Sequence, residues 1–165
     1  YRRHFPAINW LTSYSLYQTK IDGWINDHIA PDFSRFRLDA MTLLQEESEL
    51  EEIVRLIGQD ALSDQDRLKL ESARSLREDF LHQNSFDEVD TYTSLNKQYK
   101  MLSLVMTFYY EAQKALTRSV DFGEVMQLPI RAEIARFKYV PEQEVDRWYE
   151  LRKERLLTEM GGLAG

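Results

Sequence analysis

Apolar positions recur along this chain at three- and four-residue steps, the period of helices that lie with one face on a core. The longest such run, from Val89 to about Leu116, carries Leu95, Tyr99, Leu102, Val105, Met106, Tyr109 and Ala112 on one face and predicts the core helix. Upstream, Phe33, Phe36, Leu38, Met41 and Leu44 predict a helix beginning after Asp32. Leu50, Ile53, Val54 and Ile57 either continue it or form a second helix that starts afresh at Ser48, with Glu51 three residues on, and stops at Gly58. Nearer the start, Phe5-Pro6 reads as extended connector, and Trp10, Leu11, Tyr14 and Tyr17 open an apolar pattern that Gly23 interrupts. Ile21, Trp24, Ile25, His28 and Ile29 carry that pattern on to Pro31, so a short or broken helix is predicted there. Beyond the core helix, Asp121 to Leu128 and Ile130 to Phe137 predict two short helices separated by Pro129. Pro141 then opens a last helix, with Val145, Trp148, Tyr149, Arg152 and Leu156 inward and Gly161-Gly162 as its stop.

One stretch, Gly58 to Tyr92, joins two unlike surfaces. At its front Asp60, Ala61, Leu62, Ser63, Asp64, Gln65 and Asp66 form an acidic turn, and Ser63 stands three residues before Asp66, the spacing of a helix N-cap. Leu68 or Lys69, Ala73, Leu76 and Phe80 follow at helical steps, predicting an amphipathic lever about 27 Å long, antiparallel to the core helix. At its far end His82-Gln83-Asn84-Ser85 competes with the helix for backbone hydrogen bonds and leaves Phe86 and Tyr92 on a loop. Two readings of each end stand side by side. Phe86 and Tyr92 either face a flat ligand or plug the top of the core, and the acidic turn is either a contact surface or a solvated loop.

Length and composition narrow the class. The 165 residues hold 6 glycines, 4 prolines and no cysteine, so an all-α fold is expected and disulfides and thiolate metal sites are excluded. We divide the chain into a connector over residues 1–10, a helical bundle over 11–160 and a mobile Gly-rich tail over 161–165. A formal net charge of −7 opposes a nucleic-acid partner, and no apolar run reaches the twenty or so residues that would insert into a membrane. A soluble chain, cytoplasmic by default, is the expectation. Tyr1 in place of an initiator, with no leader pattern behind it, reads as the start of an excised fragment.

Self-contained chemistry is missing from the pattern. His4, His28 and His82 lie in different segments, and the acids from Glu46 to Glu52 read as a solvated face, since no Glu-x-x-His pair accompanies them as a carboxylate-bridged metal site needs. The sequence contains no G-x-S-x-G, no Cys/His pair and no glycine-rich phosphate loop. No catalytic or metal-ligating residue is assigned, and the chain by itself is expected to catalyse nothing.

The segments RRHFPAINWLTSY and FLHQNSFDEVDTY, in that order on an all-helical chain, resemble the C-terminal helical domain of the catalytic A subunit of A-type and V-type rotary ATPases. The resemblance covers every predicted helix. The more distant F-type beta subunit has a Tyr-Pro-Ala step where Phe5-Pro6-Ala7 stand, and an acidic DELSEED loop where Asp60 to Asp66 stand. The resemblance implies that Phe5 and Phe86 stack on adenine, that Tyr92 stands where the beta subunit has another aromatic, and that Gln83, Asn84 and Ser85 touch the base edge or ribose. It implies that Asp60, Ala61, Leu62, Ser63, Asp64, Gln65 and Asp66 form the tip that meets the rotating central stalk. Ala61 and Gln65 depart from the beta-subunit acids, which favours steric pushing over charge. A parent subunit of this kind uses ATP/ADP with Mg2+, held by a Walker loop and a carboxylate that this sequence lacks, and no tightly bound cofactor is expected here. Its partners are the B subunits, with which it alternates in a hexamer, and the central stalk. It lies in the cytoplasm, peripheral to the membrane, and couples ATP hydrolysis or synthesis to proton or sodium transport. The second expectation, from the residues alone, is a stand-alone helical adaptor that binds a partner protein through the acidic turn and the Phe86 loop.

Overall fold

The computed structural model describes residues 23–24, 27–82 and 93–163. Most of the first predicted helix and all of residues 83–92 lie outside them. Helix α1 (Phe33–Ile57) buries Phe33, Phe36, Ala40, Leu43, Leu44 and Leu50. It runs straight through Ser48, so the predicted stretch is one helix and not two. A 3-10 turn (Gln59–Ala61) leads into α2 (Asp64–Ser75), which continues without a break as a π-helical turn over Leu76–Leu81. The core helix α3 (Leu95–Thr117) starts later than its apolar pattern suggested, because Ser94 is its N-cap and accepts from the Lys97 amide at 3.1 Å. Then come α4 (Phe122–Met126), α5 (Ile130–Arg136), 3-10 turns over Phe137–Tyr139 and Glu142–Glu144, and α6 (Val145–Gly161). Every described element is helical, in keeping with the all-α expectation.

Helix α3 is the axis of the core. Met101, Leu102, Ser103, Leu104, Val105 and Met106 are six consecutive buried residues, which one amphipathic face cannot supply. The helix is therefore covered on several sides, by α1, α2, α5 and α6. Polar bonds give the directions. Tyr99 and Tyr110 hydroxyls donate to Asp32 and Asp39, so α1 and α3 run parallel. Ser94 and Asn96 donate to Glu142 and Asp146, and the Ser103 and Tyr149 hydroxyls pair at 2.9 Å, so α6 also runs parallel to α3. Gln65 at the start of α2 donates to the Gln113 carbonyl near the end of α3, the expected antiparallel arrangement of lever and core helix.

Burial pushes both tyrosine hydroxyls well above their ordinary range, and the neighbouring Asp32 and Asp39 carboxylates push the same way. The hydroxyls remain donors and hold α1 to α3 throughout the working pH range. Several residues depart from the helical pattern. Leu38 and Leu95, placed inward by spacing, are exposed, whereas Leu43 is buried among the core residues. Glu47, placed on a solvated face, is buried instead, and the Arg77 guanidinium donates to it at 2.5 Å across the α1–α2 pair.

Among the described residues two backbone positions fall in the left-handed half of conformational space. Gly58, after α1, has φ 89 and ψ 161, a region that essentially only glycine occupies, although nothing lies within 4 Å of where a Cβ would stand. Ser119 has φ 68 at the end of α3, where the Val120 amide donates to Ala115 and the Ser119 amide to Leu116, the two bonds of a Schellman stop. Glycine is the residue that stop prefers. Gly58→Ala should therefore destabilise by about 1–3 kcal/mol through backbone strain alone, and Ser119→Gly should raise the melting temperature by relieving about 1 kcal/mol. Thermal denaturation of the two variants checks both signs.

Candidate functional site

The first of the two ends singled out in the sequence is the turn between α1 and α2, where the last turns of α1 run past the end of α3 while α2 starts against it. Asp39 on α1 is level with Tyr110 on α3. Counting along both parallel helices puts the end of α3 at Thr117 level with about residue 46 of α1, so the rest of α1 overhangs by roughly 16 Å. Residues 51–53 and 55–57 of this overhang are all exposed. Three of its apolar residues face solvent, Ile53 at 40%, Leu56 at 74% and Ile57 at 66% exposure. From helical spacing Ile53 and Ile57 were expected in the core. A sustained apolar stripe carries no information about where the neighbouring helix ends, and the core stops before this stripe does.

The acidic turn caps this overhang. Asp60, Ala61, Ser63 and Asp64 are exposed, and Leu62, Gln65 and Asp66 are half-buried. Ser63 is the predicted N-cap: the Asp66 amide donates to Ser63 Oγ at 3.2 Å, and the Ser63 hydroxyl donates to the Asp66 carboxylate at 2.7 Å. Asp64 pairs with Arg67 at 3.3 Å in an exposed i,i+3 contact that contributes about 0–1 kcal/mol. Asp60 is exposed, and the acids of the turn therefore divide between capping, a weak ion pair and solvent. The strongest feature of the tip is the apolar knuckle of Leu56 and Ile57. The signal that could have found it is Leu56-Ile57-Gly58, large apolar residues at a helix stop just before an acidic turn.

The lever behind the tip is held at both ends. Near its start the Arg67 guanidinium lies over the Phe122 ring, 4.3 Å from its centre, and Lys69 pairs with Glu46 at 3.2 Å. In the middle Arg131 of α5 donates to Glu71 at 3.1 Å and to the Met126 carbonyl at 2.9 Å. At the far end the helix changes register: the His82 amide donates to the Arg77 carbonyl at 2.8 Å, an i→i+5 bond. That shift leaves the Glu78 carbonyl to accept from Lys138 Nζ at 2.9 Å. Lys138 in turn offers its own carbonyl to the buried Lys97 ammonium at 2.8 Å. A side chain from the α5–α6 connector thus fills the place of a lever amide and ties the last turn of the lever to α3.

The helix stops at His82, which is extended at ψ 108, as the polar run His82 to Ser85 predicts. The second end lies beyond it. Phe5, Gln83, Asn84, Ser85, Phe86 and Tyr92 all fall outside the described residues. Among the described residues no group of three or more His, Asp or Glu side chains could hold a metal ion, and no helix is long and apolar enough to cross a membrane.

Asp79, in the π turn, is half-buried and sits in surroundings that oppose its charge. Burial pushes its carboxyl above the ordinary value of 3.8, against the Ser75 hydroxyl and the nearby Lys138 and Arg131 cations, with Glu78 adding to the rise. A carboxyl whose pKa is higher in the fold than in the unfolded chain contributes its stability fully below the unfolded value and loses it as pH rises through the folded one. Asp79→Asn should therefore flatten the pH dependence between about pH 3 and 7, leaving the variant's melting temperature higher relative to the parent at pH 7 than at pH 3. Melting curves across that range test the sign.

With this geometry in place, the chain can be set beside known proteins. Residues 22–125 match the family model described as the C-terminal domain of V and A type ATP synthase. The chain is 58% identical over 163 residues to the V-type ATP synthase alpha chain of Clostridium perfringens, a match that covers 99% of this chain and 27% of that protein. It is 59% identical over 155 residues to the protein of the same description from Acetivibrio thermocellus, covering 93% and 26%. Against that of Clostridium botulinum it is 61% identical over 146 residues, covering 88% and 25%. The chain thus spans about a quarter of the length of these relatives.

Proposed function

The chain belongs to the family of C-terminal domains of V and A type ATP synthases, and from that membership we propose that it is the coupling domain of a catalytic subunit. In this reading the α1–α2 hairpin is a mechanical arm. Its tip meets the rotating central stalk, and its far end moves the wall of a nucleotide site. The observation that carries the reading is the overhang of α1 ending in Leu56 and Ile57, exposed at 74% and 66% just before the turn into the braced lever α2. Large apolar side chains held away from a core are suited to push on a partner surface by contact. Charge has a smaller part, because exposed ion pairs at the turn contribute about 0–1 kcal/mol each. Asp60, Ala61, Leu62, Ser63, Asp64, Gln65 and Asp66 flank the knuckle and complete the contact surface.

At the other end we assign Phe5 and Phe86 to stacking on adenine, Tyr92 to a neighbouring aromatic position, and Gln83, Asn84 and Ser85 to the base edge or ribose. Stacking supplies affinity and tolerates the identity of the base. The 165 residues include no phosphate-cradling loop, so ATP/ADP and Mg2+ chemistry would rest on other parts of the assembled subunit. The B subunits and the central stalk are the partners of this reading, in a complex peripheral to the membrane that couples ATP synthesis or hydrolysis to proton or sodium movement. Family membership favours it over the stand-alone adaptor, whose binding surface would be the same turn.

Two measurements on a reconstituted complex separate the two ends. Leu56→Ser with Ile57→Ser should cost the domain less than about 0.5 kcal/mol of stability, since both residues are exposed, yet lower rotary torque with nucleotide affinity intact. Unchanged torque would remove the knuckle from the contact. Phe86→Ala should instead weaken nucleotide binding by about 1–3 kcal/mol. The isolated chain should hydrolyse no ATP and bind it no more tightly than about 1 mM, and micromolar binding in a calorimeter would overturn that assignment.

A further inference from the structure

A cavity of about 230 Å³ opens where the lever α2 faces α3, α4 and α5. Its floor is apolar, built from Val105, Phe108, Met126 and Ile134, and the lever contributes Glu71, Ser72, Ser75 and Asp79 to its wall. Two carboxylates and one guanidinium, Arg131, line it. Glu71 and Arg131 satisfy each other at 3.1 Å, and Arg131 is further engaged by the Met126 carbonyl. The carboxylate left over is Asp79, which accepts from the Ser75 hydroxyl through Oδ2 and forms no ion pair among the described residues. About two turns earlier on the same wall, the Ser72 hydroxyl, on a residue only 5% exposed, has no partner among the described residues.

We propose that this cavity is a binding site for a small arylalkyl ammonium ion, whose ring lies on the Phe108 and Ile134 floor and whose ammonium reaches Asp79. A dry cavity of about 150 Å³ accommodates benzene, so the space here suits one ring with a two-carbon arm. Asp79 makes no ion pair among the described residues, and the nearby Lys138 and Arg131 offset only part of its desolvation, so it gains from a cation delivered into the same low-dielectric space. The same wall carries Ser72 Oγ, a buried polar atom without a partner among the described residues. A ligand so placed touches the lever along two turns and α5 opposite, so it would tie the lever to the bundle. The site is independent of the adenine and stalk assignments, since none of its residues takes part in either.

The test uses the full chain with 2-phenylethylammonium and its uncharged counterpart 2-phenylethanol, titrated by amide NMR and by melting temperature. The amine should bind with a Kd on the order of 1 mM, as expected for a ligand of this size, and the alcohol at least about fivefold more weakly. Asp79→Asn should bring the two affinities together, because it removes the charge and keeps the shape. Ala132→Phe, at an exposed position on the rim, should close the cavity to both ligands without entering the core. Saturating amine should raise the melting temperature of the parent by a few degrees. Equal affinity of amine and alcohol in the parent would overturn the proposal. So would an amine affinity that Asp79→Asn leaves unchanged, or shifts confined to residues remote from Ser72 and Asp79.

Discussion

A fully buried ammonium holds the connector between α5 and α6 against the core helix. Lys97 on α3 has no exposed surface, and its ammonium donates to the carbonyls of Lys138 and Val140, both at 2.8 Å. An ammonium taken out of water without acceptors would cost several kcal/mol, so a fold that buries one must keep those carbonyls aimed at it. The connector between α5 and α6 is thereby fixed against the core helix. Everything attached to that connector inherits the constraint, including the stacking of Phe137 on Trp148 at 4.4 Å between ring centres and the entry of α6 through Val145.

The lever inherits it too. Lys138 is held by its own carbonyl and reaches the Glu78 carbonyl with its ammonium, at the point where α-helical bonding gives way to a π turn. A π turn is marginal by itself, because its bonds are poorly aligned and one carbonyl is displaced from the ladder. Here the displaced carbonyl has a charged donor, which converts a local irregularity into a joint with α3. The arm is consequently stiff where it meets the bundle and projecting where α1 overhangs. These are the two properties a mechanical coupling needs, and they arise from different causes: one from a chain of hydrogen bonds, the other from α3 ending before α1 does.

The cavity under the lever follows from the same division of labour. Small residues on the facing surfaces, Ser72 and Ser75 on α2 with Ala132 and Ala135 on α5, keep the two helices from filling the space between them. Arg131 spans the gap with hydrogen bonds instead of packing. The lever is thus tied by polar contacts along its middle, while apolar packing against α3 through Leu68, Ala73 and Leu76 supplies its hydrophobic anchorage.

The sequence by itself determined what depends on near neighbours in the chain. The helical period located α1, α2, α3 and α6, the spacing of Ser63 and Asp66 located the N-cap of α2, and Pro129 and Pro141 marked breaks between helices, because each rests on contacts within a few residues. The resemblance carried by the RRHFPAINW and FLHQNSFDEVDTY segments pointed to the family for a similar reason, since short ordered motifs are legible one residue at a time. Tertiary structure alone decided which parts of those helices meet another helix. Leu50 and Ile57 lie on the same stripe of α1, yet one is buried and the other exposed, because the core gives out between them. Glu47 reads as a solvated acid until Arg77 is placed across from it, and nothing near Lys97 in the chain marks it for burial under two carbonyls about forty residues away. Burial depends on partners distant in sequence, and no local pattern carries their positions.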